Sequence, residues 1–332
     1  MRFLILGGTR FIGPHIVGRL LRLGHEVAVF HRGETAAELP AAVRHITGDR
    51  RRLRNHVGDF AGFAPDVVID MIGFTQRDAE DAVATFSGLA GRLVLISSGD
   101  VYRAFGVVSR FQSGPVEPVP LTEHAPLRDV FYLARQADSR PGDELYDYEK
   151  ILVERTVLAQ SALPATVLRL PMVYGPGDYQ HRLYPYVRRM DDGRRLILLD
   201  EGLASWRSPR GYVEDVAVAI VLAATSPRAA GRIYNVSEPN SYTEAEWIYR
   251  IAEAIGWTGQ VVRVPQWRLP VAIDTDQDVV METSRIRAEL AYREETPSKH
   301  ALLRTIEWER VNPPAQSLDY STDDALIAEL GL

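Results

Sequence analysis

The chain has 332 residues, of which 46% are hydrophobic and 25% charged, a composition typical of a folded globular protein. It contains no cysteine, which excludes disulfide bonds, thiolate metal sites and cysteine nucleophiles. The formal net charge of -6 disfavours a broad basic surface for nucleic acid. The longest apolar run, residues 216–224, is too short to cross a bilayer of about 30 Å, and the first residues lack a signal-peptide pattern. We therefore expect a cytoplasmic protein that does not bind membranes.

Strand-like and helix-like segments alternate through the first half of the chain. Short apolar runs predict strands at residues 2–6, 27–30, 45–47, 66–70, 92–97 and 166–170. Amphipathic patterns between most of these runs predict helices, the first of which ends at Gly24. This alternation predicts an α/β fold built on a doubly wound parallel sheet of the Rossmann type.

The remaining segments follow a less regular plan. Residues 103–141 are rich in glycine and proline and predict a long loop, followed by a helix over 142–161. Further along, we predict a helix at 213–225, a strand at 232–236 and a helix at 243–256 that opens with a capping box of Thr243 and Glu246. We divide the chain into a dinucleotide-binding domain, 1–171 with 213–240 returning to it, and a smaller C-terminal α/β substrate lobe, 172–212 with 241–332.

A glycine-containing turn follows the first predicted strand and opens the first helix. Glycines at this place let backbone N–H groups approach a pyrophosphate, and the positive end of the helix dipole favours the same anion. We therefore predict a dinucleotide site at this turn, with cofactor contacts at Gly7, Thr9, Arg10, Phe11, Ile12 and Gly13.

The end of the second predicted strand indicates which dinucleotide binds. An acidic residue there favours NAD, whereas an arginine accommodates the additional phosphate of NADP. This strand ends with Arg32 and has no acid, and Arg10 in the glycine turn could approach the same phosphate. The sequence thus favours NADP(H), with NAD(H) as the alternative.

A tyrosine, a lysine and a serine are candidates for the chemistry. Tyr146 and Lys150 are four residues apart and would share one face of the helix predicted at 142–161. A nearby lysine ammonium favours the phenolate form of a tyrosine, which makes the phenol a better acid and base near neutral pH. Ser98 follows the predicted strand at 92–97, and strand ends face the ligand crevice of a doubly wound sheet. The three side chains could therefore meet at one carbonyl or alcohol group.

These motifs together resemble the extended short-chain dehydrogenase/reductase family, which contains sugar-nucleotide epimerases, dehydratases and reductases. The matching segments, in chain order, are GGTRFIG at 7–13, Gly48-Asp49, SSGDVY at 97–102, Tyr146-xxx-Lys150, RLPMVYGP at 169–176, VEDVA at 213–217, IYNV at 233–236 and IRAEL at 286–290. The resemblance implies that Tyr146 is the acid/base, that Lys150 holds the nicotinamide ribose and that Ser98 orients the substrate oxygen. It also implies further cofactor contacts at Asp49, Arg50, Met71, Ile72, Pro171 and Met172.

Several positions depart from the family pattern. Arg10 replaces the middle glycine of the cofactor turn, as in an atypical branch that includes chloroplast stem-loop RNA-binding proteins. Gly99 and Asp100 stand where family dehydratases carry an acidic pair, which disfavours a 4,6-dehydratase. Met172 replaces an asparagine that often contacts the substrate diphosphate, which weakens a nucleotide-sugar assignment. Asp70 replaces part of a His-x-Ala-Ala pattern, as either a local cap or a polar contact near the cofactor.

The expected function is hydride transfer at a carbonyl or alcohol carbon of a sugar-like, nucleotide-linked or other small oxygenated substrate, by a reductase or an epimerase. Candidate substrate contacts are Asp100, Tyr102, Arg207 and Arg210. The alternative is a cofactor-binding RNA-binding or regulatory protein without redox turnover; the negative charge and the Ser98, Tyr146 and Lys150 set argue against it. The eight histidines show no metal-ligand spacing, so we expect no metal site, and the family resemblance implies a homodimer.

Overall fold

A central parallel sheet organises the molecule. The computed structural model describes residues 1–35, 38–136, 139–143 and 145–332. Within these residues the sheet has seven strands in the order β3-β2-β1-β4-β5-β6-β10. They are β1 (Arg2–Leu6), β2 (Glu26–His31), β3 (Arg44–Thr47), β4 (Val67–Asp70), β5 (Arg92–Ser98), β6 (Ala165–Leu170) and β10 (Ile233–Asn235). The described chain also forms two short parallel pairs: β7 (Met172–Tyr174) with β9 (Arg210–Tyr212), and β8 (Leu196–Asp200) with β11 (Gln260–Val264).

Helices cover both faces of this sheet. In chain order they are α1 (Ile12–Arg22), α2 (Val57–Phe63), α3 (Gln76–Phe86), α4 (Arg103–Val108), α5 (Leu133–Gln136), α6 (Lys150–Leu158), α7 (Tyr184–Asp191), α8 (Glu201–Ser205), α9 (Val213–Thr225), α10 (Glu244–Ile255), α11 (Ser284–Leu290), α12 (Ser298–Val311) and α13 (Ser321–Leu330). Short 3-10 helices span Arg50–His56, Gly99–Val101 and Pro227–Ala229. In the described part of the chain, none of these helices has the length and apolar character that a bilayer crossing requires.

Burial on both faces explains why the strands are continuous apolar runs. In β1, Phe3 and Ile5 pack with α1 and α9 in one core cluster, whereas Leu4 and Leu6 pack with α2, α3 and α6 in a second. Alternate side chains of a strand point to opposite faces, so a strand buried on both sides must be apolar throughout. The predicted α/β fold with a doubly wound parallel sheet is therefore confirmed.

The order of the strands also indicates which edge of the sheet is expected to bind a ligand. β1 has β2 on one side and β4 on the other, so the chain winds away from β1 in two directions. Ligands of open parallel sheets bind at such a reversal, outside the carboxyl ends of the strands. β10 lies beside β6, which puts residues 233–235 on the main sheet; the division into two lobes stays a prediction.

Local patterns located most elements, and two predictions were wrong. The strand at 2–6, the helix at 213–225 and the capping box of Thr243 and Glu246 are confirmed. The predicted loop at 103–141 contains α4 and α5, because apolar residues of α4 pack into a small separate core. The helix predicted at 142–161 begins only at Lys150, where the Glu149 side chain caps its first turn.

Candidate cofactor and active site

The glycine turn lies at the carboxyl end of β1, where the strand and α1 come into close contact. The Gly7 N–H donates to the Phe30 carbonyl at 3.0 Å, and the Gly13 N–H donates to the Arg10 carbonyl at 3.0 Å. A Cβ on Gly13 would lie 2.3 Å from the backbone of Gly8, a distance that no side chain can adopt. The turn therefore requires glycine at position 13 to seat the helix against the strand.

The N-terminus of α1 fits an anionic group. Phe11 occupies the cap position, and no side chain of the described residues makes a cap hydrogen bond there. The first N–H groups of a helix have no intrahelical partner and carry the positive end of the helix dipole. Thr9, Phe11 and Ile12 are partly exposed, so a pyrophosphate could reach these donors.

The loop after β2 joins the glycine turn through a side-chain contact. Arg10 Nε donates to Thr35 Oγ1 at 3.0 Å, and Arg32 forms an exposed ion pair with Glu34 at 3.1 Å. The structure thus brings both predicted arginines to the loop that follows β2. Thr35 was not predicted, since a threonine after a strand carries no distinctive sequence signal.

Residues after β4 pack against the glycine turn. The Met71 N–H donates to the Leu6 carbonyl at 3.1 Å. A Cβ on Gly7 would lie 2.9 Å from Cγ2 of Ile72, so this isoleucine closes one side of the turn. Met71 and Ile72, both predicted cofactor contacts, therefore lie beside the pyrophosphate candidate site.

Asp70 forms a buried ion pair and also accepts a hydrogen bond from the backbone at the end of β4. Its Oδ2 accepts from Arg50 Nη2 at 2.7 Å, and its Oδ1 accepts from the Ile72 N–H at 3.1 Å. Asp70 thus fixes both the end of β4 and the 3-10 helix that Asp49 begins by accepting from the Arg51 N–H. Burial raises the pKa of Asp70, and the Arg50 guanidinium opposes that rise. Arg50 keeps Nε and Nη1 without a hydrogen-bond partner among the described residues.

Lys150 lies buried between the carboxyl ends of β4 and β5. Its Nζ donates to the Gly73 carbonyl at 2.8 Å and to the Ile96 carbonyl at 2.7 Å. The side chain is only 4% exposed, and burial lowers the pKa of Lys150 to about 8 although Asp70 and Asp100 oppose this. Because Lys150 bonds to one carbonyl just after β4 and to another within β5, its ammonium group is held in a fixed position at the ligand-binding edge of the sheet.

Ser98, Asp100 and Tyr148 form a hydrogen-bonded group next to this lysine. The Ser98 hydroxyl accepts from the Asp100 N–H at 3.2 Å. The Tyr148 hydroxyl donates to Asp100 Oδ2 at 2.7 Å, and Lys150 Nζ lies 5.9 Å from the centre of the Tyr148 ring. Sequence reasoning missed Tyr148, although its position two residues before Lys150 was visible.

Tyr146 occupies a different setting from the one predicted. It lies in a turn before α6, so it does not share a helix face with Lys150, and that geometric prediction was wrong. The Arg135 guanidinium lies 4.9 Å from the centre of the Tyr146 ring, and its Nε donates to the Tyr146 carbonyl at 3.3 Å. The helix starts late because Glu149 binds Arg128 and caps α6, which fixes the preceding residues outside the helix.

The candidate substrate residues are dispersed. Asp100 belongs to the group at Ser98, but Tyr102 is 0% exposed and donates to Asn235 Oδ1 at 2.5 Å, which leaves no surface for a substrate. Arg207 donates to the Ser241 carbonyl at 2.8 Å. Arg210 is buried, pairs with Glu244 and lies over Trp247.

The predicted contacts Pro171 and Met172 lie at the start of a short strand. Met172 pairs with Arg210 where β7 meets β9, and a Cβ on Gly211 would lie 3.0 Å from Pro171. The structure thus places the glycine turn, Arg32, Met71 and Ile72 after β1, β2 and β4, and it places Asp49 and Arg50 after β3. Ser98, Asp100 and Lys150 lie near the carboxyl ends of β4 and β5. Among the described residues, no side-chain hydrogen bond or ion pair links Tyr146, Tyr102, Arg207 or Arg210 to Ser98, Asp100 or Lys150.

The fold and this edge define a dinucleotide-binding protein of the Rossmann type. A family model, NAD dependent epimerase/dehydratase family, matches residues 3–237, and the chain belongs to that family. The predicted membership among extended short-chain dehydrogenases/reductases is thereby confirmed. Known members act as epimerases, dehydratases and reductases.

Individual relatives illustrate this range. The 2'-dehydrokanamycin reductase of Streptomyces kanamyceticus is 28% identical over 295 residues, covering 86% of this chain and 75% of that protein. Chloroplast stem-loop binding protein of 41 kDa b from Arabidopsis thaliana is 24% identical over 249 residues, 71% of this chain and 58% of that protein. A crystal structure of dTDP-glucose 4,6-dehydratase from Bacillus anthracis in complex with NAD has a TM-score of 0.69 at 18% identity, covering 94% of this chain and 97% of that one.

Proposed function

We propose that this protein is an NADP(H)-preferring oxidoreductase that reduces a carbonyl group of a small oxygenated substrate. The observation that carries the proposal is the meeting of Ser98, Asp100 and the buried Lys150 at the ends of β4 and β5. The glycine turn at the neighbouring end of β1 fits the pyrophosphate. When bound, the cofactor supplies the hydride; the protein contributes position and electrostatics.

Each group on the protein has a distinct task in this proposal. The N–H groups that begin α1 hold the pyrophosphate, and Lys150 holds the nicotinamide ribose. Ser98 can both donate to and accept from a substrate oxygen, so it orients the carbonyl. As charge develops on that oxygen during reduction, a fixed hydroxyl and a fixed ammonium stabilise it without reorganising.

Arg32 is the residue on which the cofactor preference depends. Replacing Arg32 by alanine removes a guanidinium from the loop after β2, and a hydrogen bond to a charged group contributes about 1.5–3 kcal/mol. We expect NADPH affinity to fall about tenfold or more and NADH affinity to stay within about threefold. Titration of both cofactors against the variant measures this, with Arg22→Ala, an exposed arginine of α1, as the matched control. Equal losses for both cofactors would defeat the NADP assignment.

The substrate that fits best carries no diphosphate. Arg210 pairs with the Glu244 carboxylate, and Arg207 bonds a carbonyl and lies 3.5 Å from Glu246, so part of the positive charge of each arginine is already matched within the protein. Met172 offers no polar group, and Gly99 removes one acid of the dehydratase pair. The similarity to a protein named as a reductase supports reduction of a ketone on a small molecule over epimerisation or dehydration of a nucleotide sugar.

A cofactor and substrate panel tests the function. Purified protein is incubated with NADPH or NADH and with ketones and aldehydes that include sugar-like rings, and cofactor oxidation is followed. We expect turnover with NADPH on at least one carbonyl compound, and no interconversion of UDP-glucose and UDP-galactose. Epimerisation without net cofactor oxidation would reverse the assignment.

A basic surface supports a second candidate, RNA binding. Arg51, Arg52, Arg54 and Arg77 line a surface depression of about 590 Å³, although Asp81 pairs with Arg54 at 2.8 Å. The chloroplast relative is named as a stem-loop binding protein. Steeply salt-dependent RNA binding combined with no redox turnover on the panel would favour this function.

A further inference from the structure

The segment 71–74, which follows β4, connects the glycine turn with the buried lysine. At its start, the Met71 N–H donates to the carbonyl of the last residue of β1 at 3.1 Å. Further along, the Gly73 carbonyl accepts from Lys150 Nζ at 2.8 Å, and the centre of the Phe74 ring lies 4.9 Å from the same nitrogen. A displacement of this segment would therefore disturb both the glycine turn and the ammonium group.

The Asp70 carboxylate holds this segment from within the protein. Its Oδ1 accepts from the Ile72 N–H at 3.1 Å. A Cβ on Gly73 would lie 3.0 Å from Asp70 Oδ2, so the carboxylate packs directly against Gly73. Gly73 is the residue whose carbonyl binds Lys150. Asp70 thus supports the lysine through one intervening residue.

Arg50 joins Asp70 to a second carboxylate, that of Asp78 on α3. Arg50 Nη2 donates to Asp70 Oδ2 at 2.7 Å and to the Asp78 carbonyl at 2.8 Å, and Nε lies 3.6 Å from Asp78 Oδ1. Asp78 Oδ2 in turn accepts from the N–H groups of Phe74 and Thr75 at 3.1 and 2.9 Å. Arg50, Asp70 and Asp78, which we call the Arg50 cluster, therefore fix the segment at both ends.

We propose that Asp70 is a positioning residue that, together with Arg50 and Asp78, fixes the segment 71–74 and keeps Lys150 in place as an ammonium ion. This inference rests on the proposed function, in which Lys150 holds the nicotinamide ribose, and it names the residue on which that lysine depends. An ammonium group donates a stronger hydrogen bond to a hydroxyl oxygen than a neutral amine does. The charge of Lys150 therefore matters for cofactor binding.

Carboxylates around Lys150 restore part of the charge that burial disfavours. Burial lowers the pKa of Lys150 to about 8, and the neighbouring negative charges oppose this, with Asp70 having the largest effect among them. The negative groups come from four elements: Asp70 at the end of β4, Asp78 on α3, Asp100 after β5 and Glu154 on α6. The positive groups that face these acids are Arg50 at Asp70 and Arg128 at Asp100.

Asp70 can supply this negative charge because both of its oxygens accept hydrogen bonds. Burial raises the pKa of Asp70, and the Arg50 guanidinium and the Ile72 N–H oppose that rise. Each of these two donors bonds one carboxylate oxygen, at 2.7 and 3.1 Å. Hydrogen bonds to the ionised form favour it, so Asp70 faces Lys150 as a carboxylate.

The charge of Lys150 can be measured directly because the chain contains only two lysines, Lys150 and Lys299. Lysines are labelled with carbon-13 at Cε and followed by NMR through a pH titration of the free full-length protein, and Lys299→Arg identifies the two signals. We expect the pKa of Lys150 to be about 8 in the wild type. In Asp70→Asn it should fall by about one unit or more.

The matched control is Asp81→Asn, which removes a carboxylate of α3 outside the Arg50 cluster. Asp81 pairs with Arg54 at 2.8 Å, so its charge is matched at the surface. We expect this variant to move the pKa of Lys150 by less than about 0.3 units. An unchanged Lys150 pKa in Asp70→Asn, or an equal fall in Asp81→Asn, would overturn the inference.

A double variant guards against misfolding of the single one. Asp70→Asn leaves the buried Arg50 charge without its partner, which destabilises a protein. Asp70→Asn combined with Arg50→Gln removes both members of the pair, and circular dichroism shows which variants are folded. We expect the pKa of Lys150 to fall in the double variant as well, because Asp70 has the largest effect among the neighbouring charges. A value still near 8 in the double variant would overturn the inference.

NADPH titration across pH gives a second readout. We expect wild-type affinity to fall about tenfold above about pH 8, as Lys150 loses its proton, and the fall to begin about one pH unit lower in Asp70→Asn. A loss of affinity that is the same at every pH would indicate a merely structural role and overturn the inference. A wild-type protein that reduces nothing on the panel, but whose Lys150 pKa depends on Asp70, overturns the proposed function and supports this inference.

Discussion

Replacing Gly13 by alanine is expected to cost the protein most of its cofactor affinity and about 1–3 kcal/mol or more of stability. The added Cβ would lie 2.3 Å from the backbone C, Cα and O atoms of Gly8. Because these are backbone atoms, no side-chain rotation relieves the contact, and α1 must move away from β1. The displaced helix start would no longer present its N–H groups to a pyrophosphate, so NADPH affinity should fall about tenfold or more.

Gly18 provides the matched control on the same helix. A Cβ there meets no atom within 4 Å, so alanine fits without displacement. Alanine is a better helix former than glycine, and we expect Gly18→Ala to raise stability by about 0.5–1 kcal/mol. Urea unfolding and NADPH titration of both variants give the comparison. Normal affinity in Gly13→Ala would show that the turn does not hold the cofactor.

The second large effect is expected from Glu149→Ala, which breaks a buried ion pair. Glu149 accepts from Arg128 Nη2 at 3.1 Å, from the Tyr132 N–H at 2.8 Å and from the Ile151 N–H at 3.0 Å. Removing the carboxylate leaves the buried Arg128 charge uncompensated, which typically costs 3–5 kcal/mol, so we expect a loss of about that size. The start of α6 also loses its cap, so Lys150 should be displaced and turnover should fall.

An exposed glutamate serves as the reference for this variant. Glu253 lies on the exposed side of α10, and Glu253→Ala should change the free energy of unfolding by less than about 0.5 kcal/mol. Urea unfolding of the two variants measures the difference. A loss under about 1 kcal/mol in Glu149→Ala would mean that the pair does not fix the segment before α6.

Elements defined by neighbouring residues could be predicted from the sequence. β1 follows from an apolar run buried on both faces, and the glycine turn follows from the residues immediately after it. α10 follows from its capping box, in which Thr243 and Glu246 are three residues apart. In each case the interaction that determines the structure lies within a few residues, where a sequence pattern reveals it.

Features that depend on distant partners could not be predicted. The late start of α6 depends on Arg128, which is 21 positions from Glu149. The burial of Tyr102 depends on Asn235, 133 positions away. Arg210 forms an internal ion pair with Glu244, which is 34 positions away, although the sequence alone suggested that this arginine was available to a substrate. Tyr148 was missed for the same reason, since its contact with Asp100 spans 48 positions.

Transfer of a labelled hydride tests the central claim most directly. NADPH carrying deuterium at the reactive nicotinamide carbon is incubated with the protein and the carbonyl compound that gives turnover, and the product is analysed by mass spectrometry. The account predicts one deuterium on the new alcohol carbon of the product. A product without deuterium, or no product and no NADPH binding, would contradict it.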